Sequence, residues 1–260
     1  MRHASLLPAM IGTLFLVSWI HAFSASFSIL GQERVVSMAD PFFAAVRNNL
    51  SRSDREQYRY AYHERRSDVH TNPFGKIGTD GSLLYQVTPG DEYGIYHRLL
   101  IERDGKALSN ESRETIDRRG RSDTNPAVDD VVATLSFQIM GHETSGGRSL
   151  MLLGFSPKPD AKPRTRQGKL AKSFKGTIWI DEQAREVVRV EATTIDSISY
   201  GLGVVARLGE GTKVKVVREP VDTVWLPTSI RLIGEGRALL VRKLNVDYSV
   251  EWFDYKRSQK

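Results

Sequence analysis

From Tyr58 onward the chain alternates between apolar and polar side chains and is broken at short intervals by turn-forming residues. Period-two alternation puts one set of side chains on each face of a strand, so such a chain satisfies its backbone by pairing strand with strand. Tyr58, Tyr60 and Tyr62 alternate with Arg59, Ala61 and His63. Ser82–Val87 stops at Thr88-Pro89-Gly90-Asp91, and Tyr93, Ile95, His97, Leu99 and Ile101 make a further row that ends at Asp104-Gly105. Phe137–Glu143 and Arg148–Phe155 flank Thr144-Ser145-Gly146-Gly147, a hairpin signal. Phe174–Asp181 and Glu186–Ala192 flank another turn, and Gly203–Leu208 and Thr212–Arg218 flank Gly209-Glu210-Gly211. Val224–Ile233 leads through Gly234-Glu235-Gly236 into Leu244–Trp252, a strand of roughly 30 Å at about 3.3 Å per residue.

One helix precedes all this. Phe42, Phe43, Val46 and Leu50 fall at helical spacing, Asp40 is placed as the N-cap, and Pro41 takes the first helical position, where its missing N–H costs nothing. The charged Ser51–Gln57 stretch is expected to end that helix. Successive hairpins give an antiparallel sheet with one apolar and one wet face, and the apolar face needs a cover. The expected fold is therefore mainly β, with nine to eleven strands in a strongly curved antiparallel sheet and the Asp40–Leu50 helix against its concave face. Glu111–Arg121 reads as a short solvated helix, and Val128–Leu135 as a second helix under the sheet. Pro157–Lys169, with Lys158, Lys162, Arg164, Arg166 and Lys169, reads as a long exposed loop. No boundary divides the chain after the N-terminal segment, so residues 26–260 are expected to form a single domain.

The N-terminus sets the compartment. Arg2 and His3 precede an uncharged apolar stretch from Leu6 to Ile20, and Ala22-x-Ser24 follows. This is the pattern of a secretory signal peptide, cut near Ser24 or Ala25; an uncleaved anchor is the alternative. Either places the remainder outside the cytoplasm, in the periplasm or cell envelope. A formal charge of +6, from 37 Lys and Arg against 31 Asp and Glu, then favours acidic lipid surfaces or acidic proteins, not nucleic acid. The five cations of Pro157–Lys169 are the candidate docking strip for such an anionic partner.

The residues that carry chemistry are sparse. With no cysteine there is no disulfide, thiol nucleophile, thiolate zinc site, iron–sulfur cluster or lipid-modified N-terminal cysteine. Gly146-Gly147-Arg148-Ser149 lacks the spacing of a nucleophile elbow, and His63-Glu64 and His142-Glu143 each lack a second histidine on a helix face. No phosphate loop or dinucleotide fingerprint is present, and Asp247, Glu251 and Asp254 alternate with apolar residues as the wet face of a strand. No cofactor or metal is expected, and no enzymatic activity. Aromatic side chains are the more suggestive class. Phe42, Phe43, Tyr60, Tyr93, Phe137, Trp179, Tyr248 and Trp252 lie on the helix or in and beside the strands, where they can line an apolar concavity or simply fill it.

In the C-terminal half, Gly176-Thr177-Ile178-Trp179-Ile180-Asp181, the return strand Val187-Val188-Arg189-Val190-Glu191 and the later Trp225-Leu226-Pro227 together resemble outer-membrane lipoprotein-sorting proteins. Those are similar to the periplasmic lipoprotein carriers LolA and LolB. The resemblance implies an unclosed β-barrel, a helical lid and an apolar cavity that holds acyl chains. It implies a non-enzymatic carrier or sensor whose partner is an acyl chain or a lipoprotein. The charged Ile101–Pro126 insertion departs from that pattern. A structural module whose concavity is filled by its own side chains, and an unrecognised envelope hydrolase, are the other readings these residues leave open.

Overall fold

A computed structural model describes residues 34–68, 81–92, 95–108, 114–118, 126–200, 206–238 and 242–258. The expected signal segment and Tyr93 lie outside these described residues. Glu33–Lys260 forms one compact unit. Its first part runs β1 (Arg34–Val35), α1 (Pro41–Gln57), β2 (Tyr60–Asp68), β3 (Gly81–Pro89), β4 (Ile95–Arg103), β5 (Lys106–Ala107) and β6 (Glu114–Arg118). The middle adds α2 (Pro126–Thr134), β7 (Leu135–Ser145), β8 (Arg148–Pro157), α3 (Arg166–Ala171), β9 (Phe174–Asp181) and β10 (Glu186–Thr194). The last part is β11 (Ile198–Tyr200), β12 (Ala206–Leu208), β13 (Lys213–Val221), β14 (Val224–Ala238) and β15 (Arg242–Arg257).

All fifteen strands join one antiparallel sheet, in the main order β1-β7-β8-β9-β10-β13-β14-β15-β2-β3-β4-β5. Four of them, β1, β5, β11 and β12, have only two or three residues. The two ends of that order do not pair, so the sheet is unclosed, as the resemblance to lipoprotein carriers implies. Register shifts in β4/β3, β7/β8, β9/β10, β13/β14 and β15/β2 insert bulges that bend the strands.

The hairpins expected at residues 137–155 and 174–192 form with close to the expected limits. Elsewhere long-range pairing overrides local punctuation. Gly234 and Gly236 do not turn the chain; they pair with Val246 and Leu244 inside β14 and β15, which reach 15 and 16 residues. β12 pairs with β11 and β14, and β13 with β10, so the two strands flanking Gly209–Gly211 are not a hairpin. Part of the expected helix at 111–121 is instead β6, which extends the sheet along β4. The last strand β15 pairs with β2, which joins the C-terminal meander to the N-terminal one.

Helix α1 begins as expected, with the Asp40 carboxylate accepting from the Phe42 N–H at 2.8 Å. It runs on to Gln57 instead of stopping at Leu50 because its polar second half has tertiary partners. The Asn49 amide donates to the carbonyls of Ala184 and Arg185 at 3.3 and 3.0 Å, and Arg52 reaches the Thr223 carbonyl at 3.5 Å. Two hairpin turns thus hold the helix end that propensity alone would release. Its apolar stripe, Phe43 and Val46, packs with Leu135, Phe137, Leu153, Ile180 and Val187 into one core cluster on β7–β10. The other half of the sheet has two tyrosine-rich clusters, Tyr60 with Val224 and Leu226, and Tyr62 with Val87 and Tyr96.

Candidate functional site

Between α1, α2 and the β7–β10 part of the sheet lies a cavity of about 930 Å³, toward the large end of the roughly 300–1,000 Å³ typical of ligand sites. Its floor follows from strand alternation. Leu135 and Phe137 of β7, Leu153 of β8, Ile178 and Ile180 of β9 and Val187 of β10 all point to the same side. The roof comes from helical periodicity, with Phe43, Val46 and Leu50 on α1 and Val128, Val131 and Val132 on α2. The polar lining residues are Arg47, Asp54, Tyr58, Arg166 and Gln167. No serine, threonine or histidine lines it among the described residues. Such a lining excludes water from an aliphatic chain and carries a few charged groups.

The roof is tied together by one carboxylate. Asp130 on α2 accepts from the backbone N–H of Arg164 at 3.0 and 3.1 Å, and from the N–H and hydroxyl of Thr165, both at 2.7 Å. Thr165 in turn caps α3 by accepting from the Gly168 N–H at 3.0 Å. These donors hold the Asp130 carboxyl below the ordinary value of 3.8, the Thr165 backbone bond first. A depressed folded-state pKa contributes stability that is fully present above the unfolded value and lost as pH falls through the folded one. In urea melts of wild type and Asp130→Asn, the gap in midpoint should hold constant above about pH 5, narrow as the acid side is entered, and vanish at the lowest pH. A gap independent of pH would show that Asp130 is not the clamp. Gly168→Ala should open the same clamp at neutral pH, because the new Cβ would lie 2.8 Å from the Asp130 carboxyl carbon.

The clamp also changes the reading of Pro157–Lys169. Instead of one extended loop, the segment ends in α3 and is anchored at Asp130; Lys158 bonds the Ala133 carbonyl at 3.0 Å, and Lys172 beyond it bonds the Ala161 carbonyl at 3.0 Å. The side chains of Lys158, Lys162, Arg164, Arg166 and Lys169 are all exposed.

Of the aromatic candidates, Phe43 and Phe137 meet in the cavity, and Phe42 packs edge-on against Phe43 with ring centroids 5.2 Å apart. Trp179 does not join them. It alternates with Ile178 and Ile180, so its ring lies on the opposite face of β9, under the Arg189 guanidinium at 3.8 Å. Tyr60, Tyr248 and Trp252 sit on the other half of the sheet, away from this cavity. The Tyr60 hydroxyl donates to Asp222 at 3.0 Å, and the Trp252 indole N–H donates to Glu64 at 3.1 Å. The residues that aromatic content missed are aliphatic: Leu153, Ile178, Ile180, Val131 and Val132. Their signal was present in the alternation of β9 and the helical spacing of α2.

The carboxylates of the last strand have polar partners. Asp247 takes the Arg231 fork at 2.9 and 2.8 Å, Glu251 lies 3.8 Å from Arg65, and Asp254 lies 3.1 Å from the His63 ring. Among the described residues no group of three or more His, Asp or Glu could hold a metal ion, and no helix is long and apolar enough to cross a membrane.

No protein-family model matches the chain, and no curated protein matches it. Among solved structures it is similar to a DUF1329 family protein from Desulfovibrio piger, at 14% identity over 83% of this chain and 93% of that one, with a TM-score of 0.31. It is also similar to a LolA superfamily protein from Nitrosomonas europaea, at 10% identity over 82% and 94% of the two chains, TM-score 0.33. A third, from Vibrio parahaemolyticus, is described as an outer membrane lipoprotein-sorting protein domain; identity is 11% over 82% and 91%, TM-score 0.33.

Proposed function

We propose that this protein is a non-enzymatic carrier or sensor of the cell envelope that holds an acyl chain, free or as part of a lipoprotein, in the cavity beneath α1 and α2. One observation carries the reading: a cavity of about 930 Å³ between helices and sheet whose lining is mostly aliphatic and aromatic. Burying an alkyl chain there gains about 0.8 kcal/mol per methylene, so a long chain binds without any specific polar contact. The apolar stretch at Leu6–Ile20 supports export, since acyl chains in transit between membranes are met outside the cytoplasm.

Native mass spectrometry of protein purified from cells should show the chain's mass plus that of a lipid. Val131→Trp fills the roof from α2 and should remove that added mass while leaving the far-UV spectrum unchanged. A bare wild-type mass would mean that the concavity is closed by its own side chains in solution, and turnover of an ester panel would point to a hydrolase instead.

The exposed strip Lys158, Lys162, Arg164, Arg166 and Lys169 supports docking on an anionic bilayer, where charges of one sign act together and are screened by salt over about 8 Å at physiological ionic strength. Replacing all five with glutamine should leave the fold intact and abolish sedimentation with phosphatidylglycerol vesicles at low salt. Undiminished sedimentation would end the docking idea.

A further inference from the structure

Among the described residues, the lining of the cavity carries two cations and one carboxylate, Arg47, Arg166 and Asp54. Arg47 lies on α1 in the same stripe as Phe43, Val46 and Leu50, and it lines the cavity with them. Its ion pair with Asp129 is long, 3.7 Å, and made to a carboxylate that is 72% exposed. Its Nε is buried and makes no hydrogen bond among the described residues. Arg166, the first residue of α3, also lines the cavity and is otherwise exposed. Both arginines line the same cavity, and adjacent residues of α2 hold their segments, since Asp129 pairs with Arg47 and Asp130 clamps Arg164 and Thr165 at the entry to α3. Lys162, Arg164 and Lys169 surround the second of them with further exposed positive charge. The carboxylate in the lining, Asp54, is seven residues from Arg47 on the same helix, about 10 Å along its axis.

A buried donor on a half-buried guanidinium, in the lining of a mostly apolar cavity, is complementary to an oxygen anion attached to an alkyl chain. We propose that the cavity selects an amphiphile with an anionic headgroup, its chain under α1 and α2 and its carboxylate or phosphate held by Arg47 and Arg166. This rests on the acyl-chain reading above and adds to it the chemistry of the headgroup. A neutral headgroup can accept a neutral hydrogen bond from the Arg47 Nε, but it gains none of the charge attraction of Arg47 and Arg166.

Three probes of one chain length separate the terms: dodecanoate, dodecyl phosphate and dodecanol, each titrated against the full mature protein by displacement of a fluorescent fatty alcohol at low salt. At least one anion should bind about tenfold more tightly than the alcohol, and the tighter of the two names the headgroup. Arg166→Gln should weaken that anion by about three- to tenfold and change dodecanol by less than about twofold. Arg47→Gln should do the same. Lys162→Gln, in the strip but not in the lining, should change anion binding by less than about twofold. Equal binding of alcohol and anions by wild type overturns the proposal, as does a Lys162→Gln effect as large as that of Arg166→Gln; both leave the acyl-chain reading standing. Failure of all three probes to bind removes both.

Discussion

Replacing Glu64 with leucine should destabilise the protein by about 3 kcal/mol, because it removes the buried carboxylate on which three donors converge, one of them on the largely covered Arg98. Glu64 sits on β2 at only 2% exposure. It accepts from Arg66 Nε at 2.5 Å, from Arg98 Nη2 at 3.1 Å and from the Trp252 indole N–H at 3.1 Å. Both guanidiniums also lie over the Tyr85 ring, at 5.3 and 5.8 Å from its centroid. Burial works against the Arg66 charge, but the Glu64 carboxylate more than offsets it and holds that guanidinium above its ordinary value. Without Glu64, the Arg66 and Arg98 charges, on β2 and β4 either side of β3 and its Tyr85 ring, lose the carboxylate they share. A urea melt at neutral pH reads the loss as a lower midpoint. Restoring neutrality is the control: Glu64→Leu combined with Arg66→Leu and Arg98→Met should recover most of it, since a buried ionic group exchanged for apolar side chains of similar volume is often neutral or stabilising. A triple variant no more stable than Glu64→Leu would mean that the pairing is not what the position supplies.

That cluster also marks where sequence reading stops. The row Tyr60, Tyr62 continues in period two through Glu64 and Arg66, so the inward face of β2 turns from aromatic to charged without any change in the pattern. Arg98 and Trp252, the partners that make those charges tolerable, lie 34 and 188 residues away from Glu64. The hairpins were legible because a turn and its flanking strands are neighbours in the chain. The pairing of β15 with β2, the strand made from Glu114–Arg118 and the continuation of β14 through Gly234 and Gly236 were not, because each depends on a partner far away in sequence. The same distinction divides the site. Phe43 and Phe137 stood out as aromatic, and the spacing of Val128, Val131 and Val132 announced a helix. That Ile178 and Ile180, and not Trp179, face the cavity depends on which side of β9 the helices cover, and alternation alone does not choose a side.

Two glycine-to-alanine changes in neighbouring strands should differ sharply, although the added methyl is the same. Gly176 pairs with Ala192 of β10 on one side and Phe155 of β8 on the other, in the part of the sheet that floors the cavity. A Cβ there would overlap the Glu191 carbonyl oxygen and lie 2.8 Å from the Ala192 Cα and 2.9 Å from the Glu191 carbonyl carbon. All three are backbone atoms in the middle of a ladder, so relief requires the strands themselves to part. Gly176→Ala should therefore cost about 3 kcal/mol, at the top of the usual range for overpacking, and lower the affinity for any ligand in the cavity. Gly154 on β8 is as deeply placed, but a Cβ added there meets Met140 Sδ at 2.6 Å and Cγ at 3.0 Å. Met140 is 57% exposed and unbranched, so it can swing into solvent, and Gly154→Ala should cost less than about 1 kcal/mol. Chemical melts of the two single variants decide the matter. Equal losses would mean that β9 and β10 are not pinched together at Gly176, and a larger loss at Gly154 would mean that Met140 is fixed in place by something other than its own side-chain packing.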